Sequence, residues 1–278
     1  RQLWAIEGVT SFYDDYFLYL SGVSNLSEYL KTVVENINKV ENTPGDNFQT
    51  LAESSFDAWI KYYRQNENTQ NNQVSYYVKG ATVVTALNLL ILQATHAEKS
   101  MNDVMRALNQ KYLQHPEKGY SEEELLEVCE TIAGISLKEF FAQHIFGNEP
   151  IDYAYYFSLA GLELYNNEDN SYQFGWTFNN KEGKFIISKI VINTSAALAG
   201  LNAEDEILAI NGFRMNAQWE KSLFDKKIGG EIEVIVSRYG IIRNFNIELQ
   251  TSEKKNYTIH FDKKPSSDQL LVRKAWLR

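Results

Sequence analysis

Glu7, in the run Trp4-Ala5-Ile6-Glu7-Gly8, has the side chain and the setting to serve as one ligand of a metal. A carboxylate on a helix can complete a zinc ion already held by two histidines one helical turn apart, leaving the fourth position to water. Gly8 beside it lets a neighbouring backbone come close. The plainer reading is a glutamate at a helix start that faces solvent or answers the helix dipole. The histidine pair is missing: His96, His115, His144 and His260 are scattered, with no two at i, i+4 and no His-Glu-x-x-His segment. Each reads as exposed or hydrogen-bonded, and this chain by itself is expected to bind no zinc.

Ser75-Tyr76-Tyr77-Val78-Lys79-Gly80-Ala81 offers a second kind of chemistry. A tyrosine hydroxyl is the sort of donor that steadies the oxyanion formed when water attacks a carbonyl. Core packing is the alternative for two aromatics that open a buried helix. The third candidate is Tyr172-Gln173-Phe174-Gly175-Trp176-Thr177-Phe178. A loop such as Phe174, Gly175, Trp176 and Thr177, leading into a strand, can hold a peptide's terminal carboxylate on backbone N–H groups while the strand pairs with the peptide. Trp219, Leu223 and Phe224, on a short helix expected over Asn216 to Asp225, are candidates for the groove or for the core. A hairpin turn with inward aromatics is the competing reading.

The elements that must position these residues fall into two parts. The 278 residues are enough for about two domains. Residues 1 to about 147 read as successive helices. Tyr29, Leu30, Val33, Val34, Ile37 and Val40 form a stripe at helical spacing, with Ser27 as the expected N-cap. Ala81 to Ala94 is apolar yet too short for a bilayer and carries Thr82, Thr85, Asn88 and Gln93, so it is expected to be a buried helix. Ser100 is expected to cap a helix that turns Met101, Val104, Met105, Leu108 and Tyr112 inward, and Ser121/Glu124 and Ser136/Glu139 read as capping boxes. After Asn148-Glu149-Pro150 the period shifts toward two. Strands are expected over Phe185–Ile192, Glu206–Ile210, Glu231–Val236 and Arg243–Leu249, with turns at Asn211-Gly212 and Tyr239-Gly240 and a short helix near Ala196 to Ala199. A net charge of −9 argues against nucleic acid as the default partner. The single cysteine, Cys129, cannot form an internal disulfide and reads as a small core residue.

Taken together the three segments resemble the glycyl aminopeptidase family of zinc metallopeptidases, in the clan of thermolysin-like and aminopeptidase N-like enzymes. The resemblance rests on Leu3 to Asp15, Leu51 to Tyr63, Ser75 to Ala81 and the ending Arg273-Lys274-Ala275-Trp276-Leu277. It implies a multi-domain α plus β chain: the helical half of a thermolysin-like catalytic domain over 1–150, a linker over 151–164, a PDZ-like β-sandwich or barrel with two short helices over 165–252, and a tail over 253–278 that packs back on the body. Ser195 to Leu201 followed by Asp205 to Gly212 is the strongest part of the PDZ likeness. The resemblance implies that Glu7 is the third zinc ligand of the intact protein, that Tyr77 stabilises the tetrahedral intermediate, and that this chain alone, without the histidine pair, is inactive. It implies peptide substrates with hydrolysis at the N-terminus, and peptide C-termini as partners of the PDZ-like part. The start at Arg1, directly before the helix of Glu7, reads as truncation of a longer protein. A PDZ-based binding or scaffold protein without catalysis is the alternative.

Overall fold

The computed structural model describes residues 2–167, 172–219, 230–251 and 253–278. Leu223 and Phe224, with positions 220–225 of the short helix expected around them, lie outside the described residues. The chain divides into two compact units, one of Arg1–Tyr63, Gln73–Asn167 and Lys255–Arg278, the other of Arg64–Asn72 and Glu168–Lys254.

In the first unit α1 (Leu3–Leu20) and α2 (Leu26–Glu41) are followed by a 3-10 turn at Pro44–Asn47 and by α3 (Leu51–Phe56). The short α4 (Thr69–Asn72) belongs to the second unit. Then come α5 (Val78–Ala94), α6 (Met101–Gln114), α7 (Glu122–Ala133), α8 (Lys138–His144) and α9 (Tyr153–Ser158). The centre is α5, buried on nearly every side, as a helix apolar all round must be. Its polar side chains are satisfied locally: Thr82 and Thr85 donate to the carbonyls of Lys79 and Ala81, and the Asn88 Oδ1 accepts from the Met101 N–H at the start of α6. Among the described residues no helix is long and apolar enough to cross a membrane.

Helix α1 turns Trp4, Ala5, Gly8, Val9, Phe12 and Tyr16 inward, a face at helical spacing that lies on α5. The two backbones meet at Gly8 and Gly80. A Cβ built on Gly8 would lie 2.6 Å from the Gly80 Cα, and one built on Gly80 would lie 2.8 Å from the Gly8 Cα. Gly8 thus does what its place beside Glu7 suggests.

Helix ends differ in places from the expectation. The N-cap of α2 is Asn25, in a capping box with Glu28, and Ser27 falls inside the first turn. An asparagine caps as well as a serine, so residue type alone could not choose. Ser121 and Glu124 form their box, but Ser136 does not cap α8: its hydroxyl and the Leu137 N–H both go to Glu130 of α7. Met105 and Tyr112 are exposed, because α6 lies at the surface and buries only the narrower stripe of Met101, Val104 and Leu108. Cys129 is buried, and burial pushes its thiol up to about 12.

The first unit is not purely helical. β1 (Leu162–Asn166) pairs antiparallel with a distant strand, Tyr257–Phe261. That strand's outer edge is occupied in an uncommon way: the Asn38 side chain accepts from the Tyr257 N–H and donates to its carbonyl, and Asn42 does the same for Lys255. A last helix, Ser267–Trp276, brings Val272 and Trp276 into the core, where the Trp276 indole donates to the Tyr29 hydroxyl.

Among the described residues every strand pairing in the second unit is antiparallel. β2 (Tyr172–Gln173) pairs with the strand Gln250–Thr251. The main sheet runs in the order β3 (Trp176–Lys181), β4 (Lys184–Ile190), β5 (Glu206–Ile210), β7 (Glu231–Arg238) and β8 (Ile241–Glu248), with the short β6 (Phe213–Arg214) on β5. Ile232, Val234 and Val236 alternate inward along β7, the period-two pattern of a half-buried strand. The helix at Ser195–Ala199 packs on β8. Asp205, fully buried, is held by Arg238 through Nε and Nη2, each at 2.7 Å, in the two-pronged geometry that makes such a pair tolerable inside a protein. Asn71, at the end of α4, donates to the Ile190 carbonyl at 2.7 Å and accepts from the Ile192 N–H at 3.1 Å, tying Arg64–Asn72 into this unit.

Candidate active site

Glu7 sits half-buried on α1, one residue from the Gly8–Gly80 crossing. Tyr77 is the residue that leads into α5, so the same crossing sets both side chains. The start of α1 is anchored from α3: the Trp4 N–H donates to the Ser55 Oγ at 2.9 Å, and Ser55 in turn bonds the Leu51 carbonyl. Ser54 donates to the Val74 carbonyl at 2.6 Å, and the Val74 N–H donates to the Gln49 Oε1 at 3.0 Å, so the stretch leading to Tyr77 is held by the same helix and its approach.

Around Tyr77 stands a cluster that sequence motifs did not single out. The Tyr63 hydroxyl lies 2.9 Å from that of Tyr76 and 3.1 Å from that of Tyr77. Tyr76 and Tyr77 stack at 4.6 Å between ring centroids, Tyr62 leans on both, and Trp59 stacks on Tyr63 at 5.0 Å. Tyr76 is buried, Tyr77 half-buried and Tyr63 exposed. Burial, then its hydrogen bond with Tyr63, holds the Tyr76 hydroxyl far above the usual tyrosine range. The Tyr77 hydroxyl is also raised, first by its bond to Tyr63 and to a lesser degree by the negative charge of Glu7. The Tyr63 hydroxyl is pulled below its usual value by its hydrogen bonds with Tyr76 and then Tyr77, against the opposing charge of Glu7. Glu7 therefore acts electrostatically on the two phenols nearest the surface, and the arrangement can present an O–H donor beside a carboxylate.

Lys79, third in the Tyr77-Val78-Lys79-Gly80 run, takes no part in this. Its ammonium is buried and pairs with Asp46 at 2.5 Å, fastening the 3-10 turn to α5. Nor do the histidines. His144 is buried and donates from Nδ1 to the Glu149 carbonyl, with burial pushing its pKa down, and His96, His115 and His260 are exposed. Among the described residues no group of three or more His, Cys, Asp or Glu side chains could hold a metal ion. Glu7 could give one oxygen donor of the three that a catalytic zinc takes from protein, so the described residues of this chain do not hold a metal by themselves.

The residues matched to this cluster are also the ones matched by relationship. Residues 1–83 match the family model of the M61 glycyl aminopeptidases. The solved structure of an aminopeptidase N family protein from Idiomarina loihiensis is similar to the whole chain, with 27% identity and a TM-score of 0.86. The alignment takes in 100% of this chain and 49% of that one, so the chain spans about half the length of this relative. Both findings agree with the resemblance read from Leu3 to Asp15, Leu51 to Tyr63 and Ser75 to Ala81. A PDZ domain protein from Parabacteroides distasonis (17% identity, TM-score 0.27, 30% of this chain and 20% of that one) and the PDZ domain of EpsC from Vibrio cholerae (16%, 0.23, 28% and 94%) also align, at scores that carry no argument. No curated protein sequence matches the chain.

In the second unit, Gly175 has φ +84°, and a Cβ there would strike the Thr194 side chain at 1.9 Å, so only glycine fits. Trp176 and Trp219 are buried together, with ring centroids 5.7 Å apart and Phe174 against both. Thr177 is exposed, its hydroxyl bonded to that of Ser188. The Phe174 and Gly175 carbonyls accept from the Ala196 and Val191 N–H groups. The loop is thus closed on one side by its own unit, while β3 lies at the end of the sheet.

Proposed function

We propose that this chain is the C-terminal part of a zinc-dependent aminopeptidase, contributing one metal ligand and the oxyanion donor to a site completed by upstream residues. The observation that carries the reading is the shared placement of Glu7 and the Tyr63–Tyr76–Tyr77 hydroxyls at the α1–α5 crossing, within the stretch matched by the family. In this reading the unit built around α5 is the helical half of a thermolysin-like catalytic domain. Glu7 would supply one carboxylate oxygen to a zinc held also by two imidazoles outside this chain. A phenol hydroxyl of the cluster donates to the substrate carbonyl oxygen as that oxygen gains negative charge, where a positioned donor does most good. Peptide N-termini are the substrates, with glycine or another small first residue. Two checks follow. The coding sequence upstream of Arg1 should contain His-Glu-x-x-His, and its absence ends the reading. In the intact protein Glu7→Gln should lower both metal content, measured by elemental analysis, and peptide hydrolysis; full metal occupancy in that variant counts against Glu7 as a ligand.

The second unit we read as PDZ-like, taking an extended peptide along the outer edge of β3. The end position of that strand favours this reading. Titrating peptides with free and amidated C-termini into the chain tests it. Binding that needs the free carboxylate is expected; no binding of either at millimolar concentration leaves this unit as a structural cap.

A further inference from the structure

We propose that Tyr63 is a positioning residue of the same site, its hydroxyl bridging Tyr76 and Tyr77 and fixing which phenol proton faces the substrate. The inference rests on the aminopeptidase reading for its chemistry, but its geometry stands in this chain. Three hydroxyls bring three protons, and the two hydrogen bonds at Tyr63, of 2.9 Å and 3.1 Å, use two of them. Tyr76 is only 1% exposed, so its proton has to be spent within the cluster. A single proton remains, on one of the two phenols nearer the surface, and the bond between Tyr63 and Tyr77 decides its direction. When Tyr76 donates to Tyr63 and Tyr63 donates to Tyr77, the Tyr77 proton is the one left to face the substrate. Trp59 stacked on Tyr63, and Tyr62 set edge-on to it, hold the ring that makes the bridge.

Two experiments test this together. In the intact protein Tyr63→Phe keeps the ring and removes the bridge. It should lower kcat about tenfold with KM unchanged, less than the hundredfold or more expected of the phenol that touches the oxyanion. Tyr63→Phe and Tyr77→Phe combined should cost less than the product of the two, because both break one network. In this chain alone, where hydrolysis is not needed, Tyr63→Phe should shift the ¹³Cζ resonances of Tyr76 and Tyr77 while the thermal midpoint moves by only a few degrees. Unchanged Tyr76 and Tyr77 resonances, or a wild-type kcat for Tyr63→Phe beside an impaired Tyr77→Phe, overturns the proposal. Wild-type rates for Glu7→Gln and Tyr77→Phe with shifted resonances in Tyr63→Phe instead overturn the aminopeptidase reading and leave the bridge in place.

Discussion

Gly80→Val should leave the chain without a folded first unit, seen as loss of a cooperative thermal transition by circular dichroism. A Cβ on Gly80 lies 2.8 Å from the Gly8 Cα and 3.0 Å from the Trp4 carbonyl oxygen. Both obstacles are backbone, so neither can swing aside as a side chain does. Helices α1 and α5 would have to part, and α5 is the element on which the core of the unit is built. Alanine adds one methyl at this spot and should cost about 1–3 kcal/mol, the usual range for overpacking. Valine adds two more methyls against the same backbone, a loss that exceeds what a domain stable by about 5–15 kcal/mol can absorb. Gly119 is the control: nothing lies within 4 Å of a Cβ there, and Gly119→Ala should melt as the parent does. A Gly80→Val chain that melts within a few degrees of the parent contradicts the close crossing.

Asp46→Ala should be the most destabilising single change at the other buried contact of α5. The Lys79 side chain is 2% exposed and that of Asp46 19%, so the lysine depends on the pair more than the aspartate does. Removing the acid leaves an ammonium in the core, which costs about 3–5 kcal/mol where a buried pair is broken from one side. Glu41, close enough to sense the Lys79 charge, places the loss toward the lower end. Lys79→Met fills the same space without charge and leaves Asp46 near water, so its cost should be smaller. Lys79→Met with Asp46→Asn should recover most of the stability, since replacing both partners is often close to neutral. Urea denaturation of the four proteins gives the order. Equal losses for Asp46→Ala and Lys79→Met would show that the asymmetry in burial does not govern the pair.

Much of this architecture is written in local pattern. The apolar run Ala81 to Ala94 forms the buried α5, Gly8 meets a neighbouring backbone, and the alternation through Ile232, Val234 and Val236 forms an inward strand face. These depend on periodicity and on residue volume, which a sequence displays directly. What escaped depends on partners far away in the chain. β1 pairs with Tyr257–Phe261 across about ninety intervening positions, with no turn between them to announce a hairpin. Glu130 takes the bonds of Ser136 and Leu137, so a serine–glutamate spacing that looked like a cap was outbid by a neighbouring helix. At the site, Glu7 and Tyr77 could be named from their runs. Tyr63 could not: its place is set by a turn that carries it back over Tyr76 and Tyr77, and one more tyrosine in an aromatic-rich stretch gives no sign of that. The stretch Leu51 to Tyr63 did stand out in the family likeness, which was the signal available.

Arg64–Asn72 interrupts the first unit to join the second, and the polypeptide therefore passes between the two at four junctions. Neither unit can be lifted out as a cassette. A piece cut at Glu168 and Lys254 would lose Asn71, and with it the partners of the Ile190 carbonyl and the Ile192 N–H at the end of β4. The boundary a protease or a cloner would choose from the sequence runs through a structure that was sewn on both sides of it.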